Sequence, residues 1–231
     1  AMSSVPVLSI VTAARPVPVP AKPGEPSTIR HVVYIIKENR TYDQVLGDLG
    51  RGNGEPKLCL FPRTVTPNHH ALAETFVLLD NYYCNGVNSA DGHMWALQGI
   101  TTPYREKDRP GYHCAYDFGT DALTYAGCGF LWDHALLAGR TFRNYGELDY
   151  TVKLRGKTYD DFYRDWKGRT GKTAYEVHYG IENLRRMTCP DYPGWELSIP
   201  DQVRADVFLR ELADFSRKGD LPPVSYTHLR A

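Results

Sequence analysis

The chain is short of several features that would narrow its class at once. It has no run of about 18 apolar residues, the length a membrane-spanning helix needs, so no span is expected. It has no excess of charge: 27 Lys+Arg balance 27 Asp+Glu, which excludes the basic footprint of a nucleic-acid-binding protein. It has no C-x-x-C pair, so a zinc ribbon or a thioredoxin motif is unsupported. It has no G-x-S-x-G, the elbow that presents the nucleophile of an α/β-hydrolase. Ala1-Met2-Ser3-Ser4 lacks the charged region that opens a signal peptide. No internal repeat is visible.

What is present is a chain of 231 residues, long enough for one sizeable core. Tyrosines number 16, and 20 Gly with 16 Pro indicate many structured loops. The five cysteines, Cys59, Cys84, Cys114, Cys128 and Cys189, are widely spaced. Four of them paired with one left over, or all five reduced, fit equally well. Residues 14–27 are proline-rich and read as an extended, semi-rigid linker. Residues 1–30 are then the tail of a preceding domain plus that linker, and the chain reads as a piece of a longer protein.

Hydrophobic pattern supplies the elements. His31 to Lys37 is a nearly continuous β-branched run, which fits a central parallel strand covered on both faces. Asn68 to Phe76 reads as a helix started by Pro67-Asn68, with Leu72, Ala73 and Phe76 on one face. A second strand is expected over Phe76 to Tyr83. Asp91 to Gly99 suits a short helix with Met94, Trp95 and Leu97 as its apolar members. Gly129 to Ala138 suits another helix, and Thr141 to Gly146 a third strand. Asp201 to Lys218 is the clearest helix: Asp201 caps it, Val203, Val207, Phe208, Leu212 and Phe215 form its stripe, and Gly219 ends it. Strands alternating with helices predict an α/β domain with a mostly parallel central sheet flanked by helices. The long connections over 100–128 and 147–198 read as excursions on the substrate side.

In such sheets functional groups gather at the carboxyl ends of strands. The first strand end offers Glu38 and Asn39. The second leads to Asn88, Ser89, Asp91 and His93. The third offers Asn144, Tyr145 and Glu147. Ser89 falls at a helix N-terminus, where free N–H groups and the helix dipole favour an anion or an alkoxide. A plain helix cap is the competing reading. A carboxylate with an amide oxygen suits a divalent cation, and a hydroxyl beside that cation becomes a nucleophile.

Several blocks carry a resemblance. They are His31 to Gln44, with Glu38-Asn39-Arg40-Thr41-Tyr42-Asp43 following the strand; Thr66 to Ala73; Phe76 to Tyr83; Ser89-Ala90-Asp91-Gly92-His93; and Phe142-Arg143-Asn144-Tyr145-Gly146-Glu147. Together they cover roughly half the chain. They resemble the phosphoesterase family that includes bacterial phospholipase C and acid phosphatase proteins, within the alkaline-phosphatase-like superfamily. The Ser89 block is more distantly similar to the Asn-Ser-x-x-Gly-His signature of cofactor-independent phosphoglycerate mutases.

The resemblance implies a hydrolase acting on phosphomonoester or phosphodiester bonds through a phosphoseryl intermediate. Ser89 would be the nucleophile, with His93 beside it in catalysis. Glu38, Asn39 and Ser89 would contact one or two divalent metal ions. Asn39, His70 and His93 would contact the substrate phosphate. It implies a periplasmic or secreted location and, in several members, a preceding β-propeller that the linker fits. Residues 31–223 would be the N-terminal part of the phosphoesterase domain. The remaining Asp and His ligands would lie on later strands. Residues 224–231 lack them and read as a non-native tail, so the chain alone is expected to be inactive. A metal-free serine hydrolase and a catalytically incomplete envelope or binding module are the rival readings. The oligomeric state, the leaving group and the metal's identity stay open.

Overall fold

The computed structural model describes residues 15–22, 24–107, 118–153, 158–222 and 224–230, the last seven as backbone only. It is a mixed α/β fold. In chain order the elements are β1 (Val32–Glu38), α1 (Tyr42–Leu46), α2 (Pro67–Thr75), α3 (Ser89–Gln98), α4 (Pro103–Glu106), α5 (Leu131–Leu137), β2 (Phe142–Tyr145), β3 (Asp149–Lys153), α6 (Tyr159–Gly168), β4 (Tyr175–Tyr179), α7 (Glu182–Arg185), α8 (Asp201–Lys218) and β5 (Val224–Arg230). Three strands pair in the order β1-β5-β2, both pairs parallel, and β3 pairs antiparallel with β4. Residues 224–230, read as a tail, thus take the middle place in the larger sheet.

Helix termini follow local chemistry. Asn88 caps α3 by accepting from the Asp91 N–H at 3.0 Å, and Gly99 closes it in the left-handed conformation with φ 70°. Gly219 closes α8 in the same way. Pro200, not Asp201, is the N-cap of α8; Asp201 is the first helical residue and pairs with Arg204 at 3.3 Å.

The main core joins α3, α5, β2 and the segment around α7 through Met94, Leu97, Phe130, Trp132, Phe142, Leu148, Ile181 and Leu184. Phe130 and Trp132 stack with ring centroids 4.3 Å apart. Met94 and Leu97 are nearly fully buried, each contributing about 1.5–3 kcal/mol, which fixes the inner face of α3. A second cluster sets Val207 and Phe208 of α8 against Tyr145, Cys189 and Tyr192.

Four expectations change. Phe76 to Tyr83 is not a strand: Phe76, Val77, Leu79, Tyr82 and Tyr83 are exposed and pair with no neighbouring strand. Strand β1 is not covered on both faces, since Val32, Val33 and Ile35 stay about half exposed. The buried face of α2 is His70 and Ala73, while Leu72 and Phe76 point outward. The 147–198 connection is not irregular but holds β3, α6, β4 and α7.

The proline-rich segment doubles back instead of running straight: Thr28 N–H donates to the Val17 carbonyl at 3.1 Å. Among the described residues, Cys59, Cys84, Cys128 and Cys189 are free, and Cys114 lies outside them. No described helix is long and apolar enough to cross a membrane.

Candidate functional site

Three elements meet around one cavity. Glu38 is the last residue of β1, Ser89 is the first of α3, and Gly146 and Glu147 follow β2. With Ala90, His93, Phe118, Leu148, Asp149 and Trp195 they line a space of about 40 Å³. That exceeds the roughly 10–15 Å³ a single water needs, so the space admits a small polar guest.

The Ser89 hydroxyl donates to Glu38 Oε2 at 2.8 Å. His93 lies four residues on, hence on the same face of α3. Its Nε2 stands 3.8 Å from the same Glu38 oxygen, and its Nδ1 is 2.7 Å from Glu147 Oε1. Burial pushes His93 toward the neutral ring, but the Glu147 and Glu38 carboxylates outweigh burial and hold its pKa well above the ordinary imidazole value. His93 is therefore a cation facing Glu38 and, through it, Ser89.

The turn after β2 is held by Asn144. Its amide nitrogen donates to the Glu147 carbonyl at 3.1 Å, and its oxygen accepts from the Glu147 N–H at 3.2 Å. Gly146 is required there: its φ is 83°, and a Cβ would sit 2.8 Å from the Tyr192 ring. The turn delivers two almost fully buried carboxyl groups, Glu147 and Asp149. Burial, then the charge of Glu147, pushes the Asp149 carboxyl up to about 8.

Of the residues expected at the site, Glu38, Ser89 and His93 come together. Asn39 is exposed and does not line the cavity. His70 lies elsewhere, fully buried beneath α2, with Nε2 2.8 Å from Asp48 Oδ1 and Nδ1 2.9 Å from the Thr66 carbonyl. Glu147 was legible only as a group at a strand end. Phe118 and Trp195 carried no local signal, because they reach the cavity by packing on each other and on β3, through the Tyr150 ring and the Asp149 carbonyl.

Glu38 and Ser89 offer two oxygen donors at 2.8 Å, a pair that suits a hard divalent cation. Among the described residues, no three His, Cys, Asp or Glu side chains form a group that would hold a metal ion. The donor chemistry thus fits a cation in part, through Glu38 and Ser89. No protein-family model, curated protein or solved structure matches this chain.

Proposed function

We propose that this chain carries the nucleophile of a phosphoester hydrolase, built on the mostly parallel, alkaline-phosphatase-like sheet that the resemblance implies. One observation carries the reading. A serine hydroxyl at the N-terminus of a ten-residue helix donates to a carboxylate at 2.8 Å inside a small cavity. Glu38 accepts the Ser89 proton as the oxygen attacks phosphorus; the ester P–O bond breaks, and the departing alkoxide takes its proton from water. The free N–H groups of α3 and the His93 cation face the charge gathering on the phosphoryl oxygens. Glu147 keeps His93 oriented and protonated. Glu38 and Ser89 would hold a divalent cation, which supplies Lewis acidity when bound; Asn39, exposed and outside the cavity, is not placed beside them. The transferred group then rests on Ser89 Oγ until water releases it.

A metal-free serine hydrolase using Ser89 and a histidine is less favoured, because the chain has no G-x-S-x-G elbow and the Ser89 hydroxyl donates to Glu38 and not to a histidine. The test is phosphoryl trapping. The full-length protein is incubated with p-nitrophenyl phosphate and divalent cations, with and without chelator, and Ser89 peptides are read by mass spectrometry. Chelator-sensitive phosphoserine at Ser89, lost in Ser89→Ala, is the expected result. Turnover that survives Ser89→Ala unchanged removes Ser89 as nucleophile.

A further inference from the structure

Asp149 has no part in the chemistry above, yet it lines the same cavity as Ser89 and His93 and is only 1% exposed. Its Oδ2 accepts from Asn144 Nδ2 at 3.1 Å. Gly180 N–H and the Thr188 hydroxyl, which also donate to the Leu148 and Leu184 carbonyls at 3.1 Å each, reach the same carboxyl group and favour its ionised form, against burial and Glu147. Asp149 Oδ1 is buried with no hydrogen-bond partner. A buried oxygen in that position costs about 1–3 kcal/mol unless something else meets it.

We infer that Asp149 is a substrate-contacting residue, whose Oδ1 carries a proton and donates it in a hydrogen bond to a phosphoryl oxygen held in the cavity. This rests on the reading of the cavity as a phosphoryl site. Charge supports it. The groups facing the space are Glu38 from β1, Ser89 and His93 from α3, and Glu147 from the turn, with Tyr179 of β4 beyond Asp149. Two carboxylates already stand against one cation. A third negative charge would repel a phosphate, whereas a neutral acid attracts it. Burial and Glu147 keep the carboxyl protonated at neutral pH. The Asn144 contact makes Oδ2 the acceptor, which leaves Oδ1 as the oxygen to carry the proton.

That asymmetry makes the inference testable with Asp149→Asn. Asn144 will hold the new amide oxygen and leave the amide NH₂ where the acid proton was. Inorganic phosphate is titrated into the chain by calorimetry at neutral pH, with Mg²⁺ present throughout. Asp149→Asn is expected to bind within about threefold of the parent chain, and Asp149→Ala about tenfold more weakly, the scale of one lost hydrogen bond to a charged group. Carbon-13 NMR of the parent chain gives a second measure that needs no variant to fold: the Asp149 carboxyl is expected to be protonated at pH 7 and to shift on adding phosphate. No phosphate binding by the parent chain, parent-like binding by Asp149→Ala, or an ionised carboxyl at pH 7 overturns the assignment. Phosphate binding lost in Asp149→Ala but without phosphoryl transfer to Ser89 supports the contact while removing the nucleophile, so the two readings fail separately.

Discussion

Two histidines show how environment decides what a residue does. His70 is fully buried, with its two ring nitrogens directed at Asp48 and the Thr66 carbonyl. The Asp48 carboxylate also accepts the Arg63 N–H at 3.0 Å and the Cys59 thiol at 3.3 Å. Those contacts, led by the Arg63 N–H, bring its pKa down to about 2. His70 is thus consumed in holding α2 to the segment after α1. His93 differs because one nitrogen is anchored on Glu147 and the other faces the cavity. Its charge depends on Glu147, the first-ranked of the groups that raise it against burial. Glu147→Gln keeps the shape and removes that charge, so the His93 titration is expected to move to lower pH. A proton–nitrogen correlation spectrum followed across pH reads the ring directly. An unmoved His93 titration in Glu147→Gln would show that Glu147 does not set its charge.

Helix α3 is the element on which the site depends, and a glycine outside it determines where it sits. Gly86 presses against the first turn: a Cβ there would lie 2.2 Å from the Gly92 nitrogen and 2.4 Å from its Cα, both backbone atoms with no room to yield. Gly86→Ala is expected to cost on the order of 2–3 kcal/mol in urea denaturation and to weaken phosphate binding as Ser89 moves from Glu38. Gly127 meets nothing within 4 Å, so Gly127→Ala is the matched control and should be near neutral. Equal stability of the two variants would remove this account of α3's placement. The C-terminal ends of α3 and α8 were legible because Gly99 and Gly219 act on the nearest turn of backbone, whereas their starts were not: α3 begins at Ser89 and not Asp91, and Pro200 and not Asp201 caps α8. Glu38 and Ser89 were legible from local pattern too, one ending an apolar run and the other standing at a helix N-terminus. Phe76 to Tyr83 misled because an apolar run signals a strand only when a partner strand lies beside it, and here none does. Asp149 is placed by the same turn as Glu147, but its burial was invisible, because it comes from pairing with Tyr179 of β4 and from the Trp195 N–H on its carbonyl, contacts made across the whole of α6. No short-range pattern encodes that closure.

Over the whole molecule, 27 positive and 27 negative side chains leave little net repulsion near neutrality, so individual buried groups set how stability varies with pH. Asp149 acts on the alkaline side. Its folded pKa is about 8, against about 3.9 in an unfolded chain. Between those values the folded state holds a proton that the unfolded state has released. Stability from this group is therefore full below about pH 4 and is lost as pH rises through about 8. His93 acts in the same direction, since its raised pKa gives stability that is lost as pH climbs through the folded value. Asp48 acts oppositely: lowered to about 2, it contributes above the unfolded pKa and fails as pH falls toward that value. Asp165, gripped by the hydroxyls of Thr170 and Thr173 and by backbone N–H groups, is also lowered and adds to the acid-side loss. Together these place the stability maximum in mildly acidic solution. Asp149→Asn removes one alkaline contribution and leaves that of His93. Urea midpoints measured from pH 4 to 9 are expected to fall more steeply for the parent chain than for Asp149→Asn. The two curves should separate progressively up to about pH 8 and run parallel above it, with a difference in slope of at most about 1.4 kcal/mol per pH unit. Curves that stay parallel throughout would mean that Asp149 ionises in the folded protein as it does in water, and the cavity would then meet a phosphate with three carboxylates instead of two.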